Sequence, residues 1–274
     1  FIFSFLFASF LLSSTYDEDK KYFDQKLYDR AKSLLQSTID AKSANAKTYA
    51  LASKVASKLD ELDIANSFII KAIEDDPSNK EYREFQKQLE LLKNALKDAK
   101  KTFDSGYHEE AIADYNKLSE TYPENAMIRY TKGLVLKKIG NLDEAIENYK
   151  KAVELNPFED KYRKAILVVA QTLAKKGDEE FRRKEYTTAL DFYNKSVSYY
   201  PKFVDGAFRL AKTYFVMKDF TNAQKWSKNV IEIDDSHVQA IKMLGDIYKR
   251  DGDKNKAIEL YSRAIEINSN YDRA

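Results

Sequence analysis

Catalysis requires reactive side chains brought together, and few residues in this chain could take part. It contains no Cys and two His, His108 and His237, which lie in separate turn regions. Thiol nucleophiles, disulfides and Cys/His zinc sites are therefore excluded. No glycine loop for phosphate, nucleophile elbow or helical His pair is present. Ser and carboxylate chemistry remain open by composition, but no motif gathers the polar cluster that an active site needs. No enzyme, cofactor or metal centre is expected. The residues present in quantity are those of noncovalent recognition: 46 Lys and Arg, 44 Asp and Glu, 19 Tyr and 16 Phe. A net charge of +2 is too balanced for a nucleic-acid partner, so charge-driven binding must come from local arrangement.

Such residues need elements to position them, and the composition favours helices. Seven Gly and four Pro against 33% charged residues leave room for few tight turns. Ala31, Ala65, Ala111, Ala145, Ala189, Ala223 and Ala257 each follow a short polar turn and open an apolar-patterned helix. Their spacings are 34, 46, 34, 44, 34 and 34 residues, a period that means stacked repeats. Within each copy, apolar residues recur at three and four, which predicts two amphipathic helices. Small residues such as Gly133, Ala145 and Ala152 let helix backbones approach closely, with Tyr149 filling the space left between copies. Prolines after the second helix end it, lacking the N–H and clashing with the preceding turn. Thr15 with Glu18, Ser78 with Glu81 and Asn141 with Glu144 have the spacing of capping boxes. The two longer intervals exceed 34 by about three helical turns. Apolar steps from Tyr82 to Phe103, and from Tyr162 to Leu173 before Gly177, predict that two first helices are extended.

The chain resembles the tetratricopeptide repeat family. The resemblance is strongest over residues 126–159, through Gly133, Ala145, Tyr149, Ala152 and Pro157, and over 238–271, through Leu244, Gly245, Tyr248, Gly252, Ala257, Tyr261 and Ala264, with Ser269 in place of the closing proline. Copies at 12–45, 46–79, 92–125, 170–203 and 204–237 are more degenerate. Pro77, Pro123 and Pro201 keep the terminating proline, while Ser227 replaces the usual aromatic beside Trp226. The resemblance implies an all-α, right-handed superhelical solenoid of helix-turn-helix repeats over residues 15–274, two of them with an elongated first helix.

In that family the first helices line a concave groove through motif positions 2, 5, 9, 12 and 13. Here those positions carry thirteen basic and five acidic residues, a net of +8 against +2 for the whole chain. The residues expected to hold a peptide are Phe103, Tyr130, Leu134, Lys137, Lys138, Phe181, Arg182, Phe208, Lys212, Phe215, Lys249 and Arg250. The implied function is a non-catalytic scaffold whose groove binds an acidic protein or peptide segment with hydrophobic anchors. An alternative for Phe103, Phe181 and Phe215 is that they simply close their helix pairs. The Lys-and-Asn set of family members that clamp acidic chaperone tails is missing: Lys242 is followed by Asp246, and Tyr130 by Leu134. A second functional reading is self-assembly, or docking of a downstream segment, through open ends where Ile258, Ile265 and Ile267 lack a covering helix.

Phe1 to Leu12 contains no charge and is too short to span a bilayer. The expectation is a signal-peptide remnant or membrane anchor over residues 1–14, with a structural capping helix as the remaining choice. Export to the periplasm or cell envelope follows from the first two readings, and a cytoplasmic protein from the third. Membrane contact is expected only through residues 1–12, if they are retained.

Overall fold

The helices follow from the periodicity, and their close approach follows from residue size. The structure is a computed structural model describing residues 16–271, with side chains described through Ile267. Among these residues there are fourteen helices and no strand. The chain divides into two compact units, Phe1–Arg163 and Lys164–Ala274. The described part of unit 1 contains α1 (16–24), α2 (Tyr28–Asp40), α3 (Ala46–Lys58), α4 (Leu62–Asp75), α5 (Lys80–Asp104), α6 (His108–Thr121), α7 (Ala126–Lys138) and α8 (Leu142–Leu155). Helix α9 (Asp160–Arg182) contains the division. Unit 2 continues with α10 (Tyr186–Tyr199), α11 (Val204–Val216), α12 (Phe220–Ile233), α13 (Val238–Arg250) and α14 (Lys254–Tyr271). From α2 to α8, and from α10 to α14, each helix packs on the next in sequence; α3–α4, α7–α8, α11–α12 and α13–α14 are the most extensive pairs. The two helices predicted to be long are α5, at 25 residues, and α9, at 23.

The regularly spaced alanines lie at the closest contacts. Ala31, Ala65, Ala111, Ala145, Ala189 and Ala223 are fully buried, and Ala257 is nearly so. Glycine serves the same end on the facing helix. A Cβ at Gly133, Gly177 or Gly245 would stand 2.5, 2.5 or 2.8 Å from the ring of Tyr149, Tyr193 or Tyr261. The backbones can approach this far only because those three side chains are absent.

Tight turns join the two helices of each hairpin. Lys26, Asp60, Gly106, Gly140, Lys184, Lys218 and Gly252 each adopt a positive φ there, between 59° and 86°. At Gly140 the geometry is that of a Schellman cap: its N–H donates to Lys137 O and that of Asn141 to Leu136 O. Among the three proposed capping boxes, Asn141 caps α8 by accepting from Glu144 N at 3.4 Å, but its side-chain Nδ2 and not its backbone N–H donates to Glu144 Oε2, at 3.1 Å, because the backbone N–H is taken by Leu136 O. The second is displaced by one residue. Asn79, not Ser78, caps α5, accepting from the N–H groups of Glu81 and Tyr82, because the Asp76–Asn79 turn already engages the Ser78 hydroxyl on Asp76 Oδ1. Thr15 and the apolar run 1–12 lie outside the described residues. Among those described, no helix is long and apolar enough to cross a membrane.

Candidate functional site

Three of the expected groove residues share one cleft. In unit 2 a cleft of about 310 Å³ is lined by Asp178, Phe181, Tyr193, Asp205, Phe208, Arg209, Lys212 and Thr213. It brings together Phe181, Phe208 and Lys212. Helix α9 supplies Asp178 and Phe181, α10 supplies Tyr193, and α11 supplies the rest. A polar network holds these side chains in place. The Tyr193 hydroxyl donates to Asp178 Oδ1 at 2.9 Å, and Arg209 Nε donates to the same oxygen at 2.8 Å. Asp205 lies 3.9 Å from the Arg209 guanidinium. Burial, reinforced by Asp178, pushes the Tyr193 hydroxyl well above the usual phenol range, so it is a hydrogen-bond donor at every physiological pH. Apolar walls complete the cleft. Phe181 and Phe208 are half-buried on the unit 2 core, Phe208 packs against His237 with centroids 4.7 Å apart, and the Lys212 ammonium sits 5.5 Å from the Phe181 centroid.

The other expected residues of unit 2 are arranged differently. Phe215 meets Phe220 edge-on at 5.5 Å, and Arg250 covers Phe220 at 3.8 Å while pairing with Asp251 at 2.7 Å. This is a second aromatic cluster, beyond the cleft lining. Arg182 and Lys249 are exposed, and the positive charge of Arg182 reaches the Tyr193 hydroxyl.

In unit 1 the expected aromatics are engaged within the fold. Phe103 is half-buried on its local core and packs on His108 at 5.4 Å. Tyr130 lies between Tyr149 and Tyr162, at 5.9 and 5.1 Å. Leu134 and Lys137 are half-buried and Lys138 is exposed. The charge counted for the groove is also partly spent, since Lys20, Lys58, Lys93 and Lys100 pair with Asp24, Glu124, Asp63 and Asp104.

Arg209 and Tyr193 had not been expected as site residues. A usable signal existed for the tyrosine. Asp178 and Tyr193 are fifteen residues apart and hydrogen-bonded, and Asp246 and Tyr261 repeat both the spacing and the bond, at 2.7 Å. In unit 1, Leu134 stands fifteen residues before Tyr149, whose hydroxyl is buried without a partner. Arg209 follows Phe208 directly and falls outside the periodic groove positions, so only the folded cleft reveals it.

Helix pairs of this period, three of them with glycine facing tyrosine across the seam, meet a direct test in sequence comparison. The tetratricopeptide repeat family matches residues 126–158 and again 238–271. This chain carries tetratricopeptide repeats. Its curated relatives include the BBSome complex member BBS4 of Bos taurus, 25% identical over 150 residues, covering 55% of this chain and 27% of that protein. A TPR repeat-containing protein of Methanocaldococcus jannaschii is 24% identical over 92% of this chain and 49% of its own length. The chain thus matches about a quarter of the first relative and about half of the second. Among solved structures, MamA is 22% identical, covering 64% of this chain and 97% of that one, with a TM-score of 0.38.

Proposed function

We propose that this chain is a non-catalytic interaction scaffold and that the α9–α10–α11 cleft is where it grips a segment of another protein. The observation that carries this reading is the Asp178–Tyr193–Arg209 network between two half-buried Phe rings. Such a cleft suits one apolar or aromatic anchor side chain, with charged neighbours of the anchor meeting the rim. Inside the cleft, Asp178 and Asp205 balance Arg209 and Lys212, so preference for an acidic segment rests on exposed Arg182, whose charge reaches the Tyr193 hydroxyl. The anchor supplies affinity, and the basic rim steers encounter.

Fluorescence anisotropy with labelled peptides that combine one aromatic residue with Asp and Glu tests this proposal. Phe208→Ala is expected to weaken binding by about tenfold or more, a typical loss for a buried anchor contact. Lys212→Glu is expected to slow association and flatten the salt dependence. Unchanged affinity in Phe208→Ala, with unit 2 still folded, would refute the cleft as the binding site.

One observation favours a second partner surface. Ile146, Leu190 and Val197 are buried on second helices, whereas Ile258 and Ile265, at the corresponding places on α14, are 63% and 67% exposed. Light scattering of the chain against Ile258→Lys/Ile265→Lys tests whether this face joins copies of the chain. The uncharged run Phe1–Leu12 supports an exported protein, which fractionation of a tagged full-length protein would check.

A further inference from the structure

We infer that unit 1 contains a binding site for a peptide carboxylate, which the chain fills with its own Asp60, and that an acidic peptide segment competes with Asp60 for it. The site is made of three donors. The Met127 N–H donates to Asp60 Oδ1 at 3.1 Å, while Asn156 Nδ2, at 3.4 Å, and the Tyr162 hydroxyl donate to Oδ2. Both carboxylate oxygens are thus engaged, as in charge-assisted recognition generally. Lys161 adds a positive charge that acts on Asp60, with its ammonium 5.2 Å from the Tyr162 ring.

The cradle is positioned by contacts that do not involve Asp60. Asn156 and Tyr162 are both fully buried. The Asn156 carbonyl oxygen accepts from Phe158 N, which turns its NH₂ toward the site. Tyr162 is packed with Ala126 and Ala152 and against Tyr130. Asn125 caps α7 by accepting from Ile128 N, so the Met127 N–H remains available to an outside acceptor. A receptor assembled this way persists when its occupant leaves.

The occupant is loosely attached by comparison. Asp60 is the left-handed residue in the α3–α4 turn, at φ 65°, where Gly106, Gly140 and Gly252 hold the same conformation in other hairpins. Its partners lie 67 to 102 residues away, so the contact runs from the second hairpin to α7, α8 and the start of α9, passing over the α5–α6 hairpin. The neighbouring Lys58–Glu124 pair is solvent-exposed and adds little. Burial raises the Asp60 carboxyl above its ordinary range despite the three donors and Lys161, so burying the charge costs more than those partners return. An external carboxylate would meet the same three donors at the same burial cost, so what favours the exchange is the left-handed backbone on which Asp60 is held. The expected ligand is a peptide because the group now seated in the cradle is itself an aspartate on a polypeptide turn.

The test uses the full chain and a short fluorescent peptide rich in Asp and Glu, with its Asn/Gln counterpart as control. Asp60→Gly empties the cradle while suiting the turn's backbone. If the closed form dominates the wild type, Asp60→Gly should bind the acidic peptide about tenfold more tightly, since apparent affinity scales with the open fraction. Adding Tyr162→Phe should remove most of that gain. Adding Phe208→Ala should leave it intact, which separates this site from the unit 2 cleft. Hydrogen exchange at the Met127 amide should accelerate in Asp60→Gly and slow again with peptide. Unchanged affinity in folded Asp60→Gly, or an equal gain for the Asn/Gln peptide, would show that Asp60 is only a structural staple. Should Asp60→Gly lose helicity, Asp60→Asn, which keeps the side chain's size without its charge, is measured the same way, and no gain there overturns the proposal.

Discussion

Gly177→Ala is the most discriminating single change for the unit 2 architecture, because helix propensity and packing predict opposite outcomes. In an exposed helix interior, the added methyl would stabilise by about 1 kcal/mol. Here it would stand 2.5 Å from Cε1 and 2.7 Å from Cδ1 of Tyr193, nearly an ångström inside ordinary contact. Tyr193 is buried with Ala170, Ala174 and Ala189, which pack around its ring. Overpacking of this kind costs about 1–3 kcal/mol, and a ring pushed aside also strains the hydroxyl's bond to Asp178, a charged hydrogen bond contributing about 1.5–3 kcal/mol. Setting these against the propensity gain leaves a net destabilisation of roughly 2–4 kcal/mol.

The assay follows from composition. Trp226 is the only tryptophan and packs on the unit 2 core, so its fluorescence during urea unfolding reports this unit even where a repeat array does not unfold in one step. Tyr193→Leu supplies the internal control: alone it destabilises, but in its background Gly177→Ala should become neutral or stabilising. A Gly177→Ala protein that resists urea as well as the wild type, or a double variant whose losses simply add, would refute the glycine–tyrosine seam as the determinant of helix spacing. Peptide affinity should fall in parallel, because Asp178 positions Arg209 in the cleft.

Lys218→Gly, relieving a left-handed lysine at φ 62°, should stabilise unit 2 by about 1 kcal/mol in the same urea assay. Asn141→Ala should destabilise unit 1 by about 1 kcal/mol, read by circular dichroism on heating, since it removes the acceptor for Glu144 N. Asp19 is buried with Oδ2 unpartnered, and burial, followed by the Glu18 charge, raises its carboxyl to about 6. A raised folded-state value for an acid means that stability is greatest below the unfolded value near 4 and is lost as pH rises through 6, by up to about 3 kcal/mol. Asp19→Asn should flatten that part of the pH–stability curve, and an unchanged curve would show that Asp19 is solvated.

What could be read from residue order divides according to the distance over which each contact acts. The buried alanines and the two long helices depend on contacts within a hairpin, where a fixed period encodes them, whereas Tyr149, expected between copies, stands instead against Gly133 of its own hairpin. Capping is nearly as local, and the displacement from Ser78 to Asn79 arose because two adjacent polar residues competed for one role and the turn took the first. The cleft was legible in its walls, Phe181, Phe208 and Lys212, but not in its centre. Arg209 becomes a site residue only because Asp178 on the preceding first helix draws its guanidinium across, and no regular position marks it.

Charge was legible in amount and not in availability. Counting periodic positions assigns the groove +8, yet Lys58 and Lys93 reach Glu124 and Asp63, acids outside that set, and Lys100 meets Asp104 within it. A lysine's position on a helix is periodic; the position of its counter-ion is not. The same limit hid Asp60, whose partners lie beyond the next hairpin and whose side chain sits where the period asks only for a residue tolerant of positive φ. In an array built from near-identical hairpins, close packing therefore rests on the regular positions. The proposed selectivity rests on positions that break the pattern, and Arg209 and Asp60 are two such positions among the described residues, each bonded to a partner on another helix.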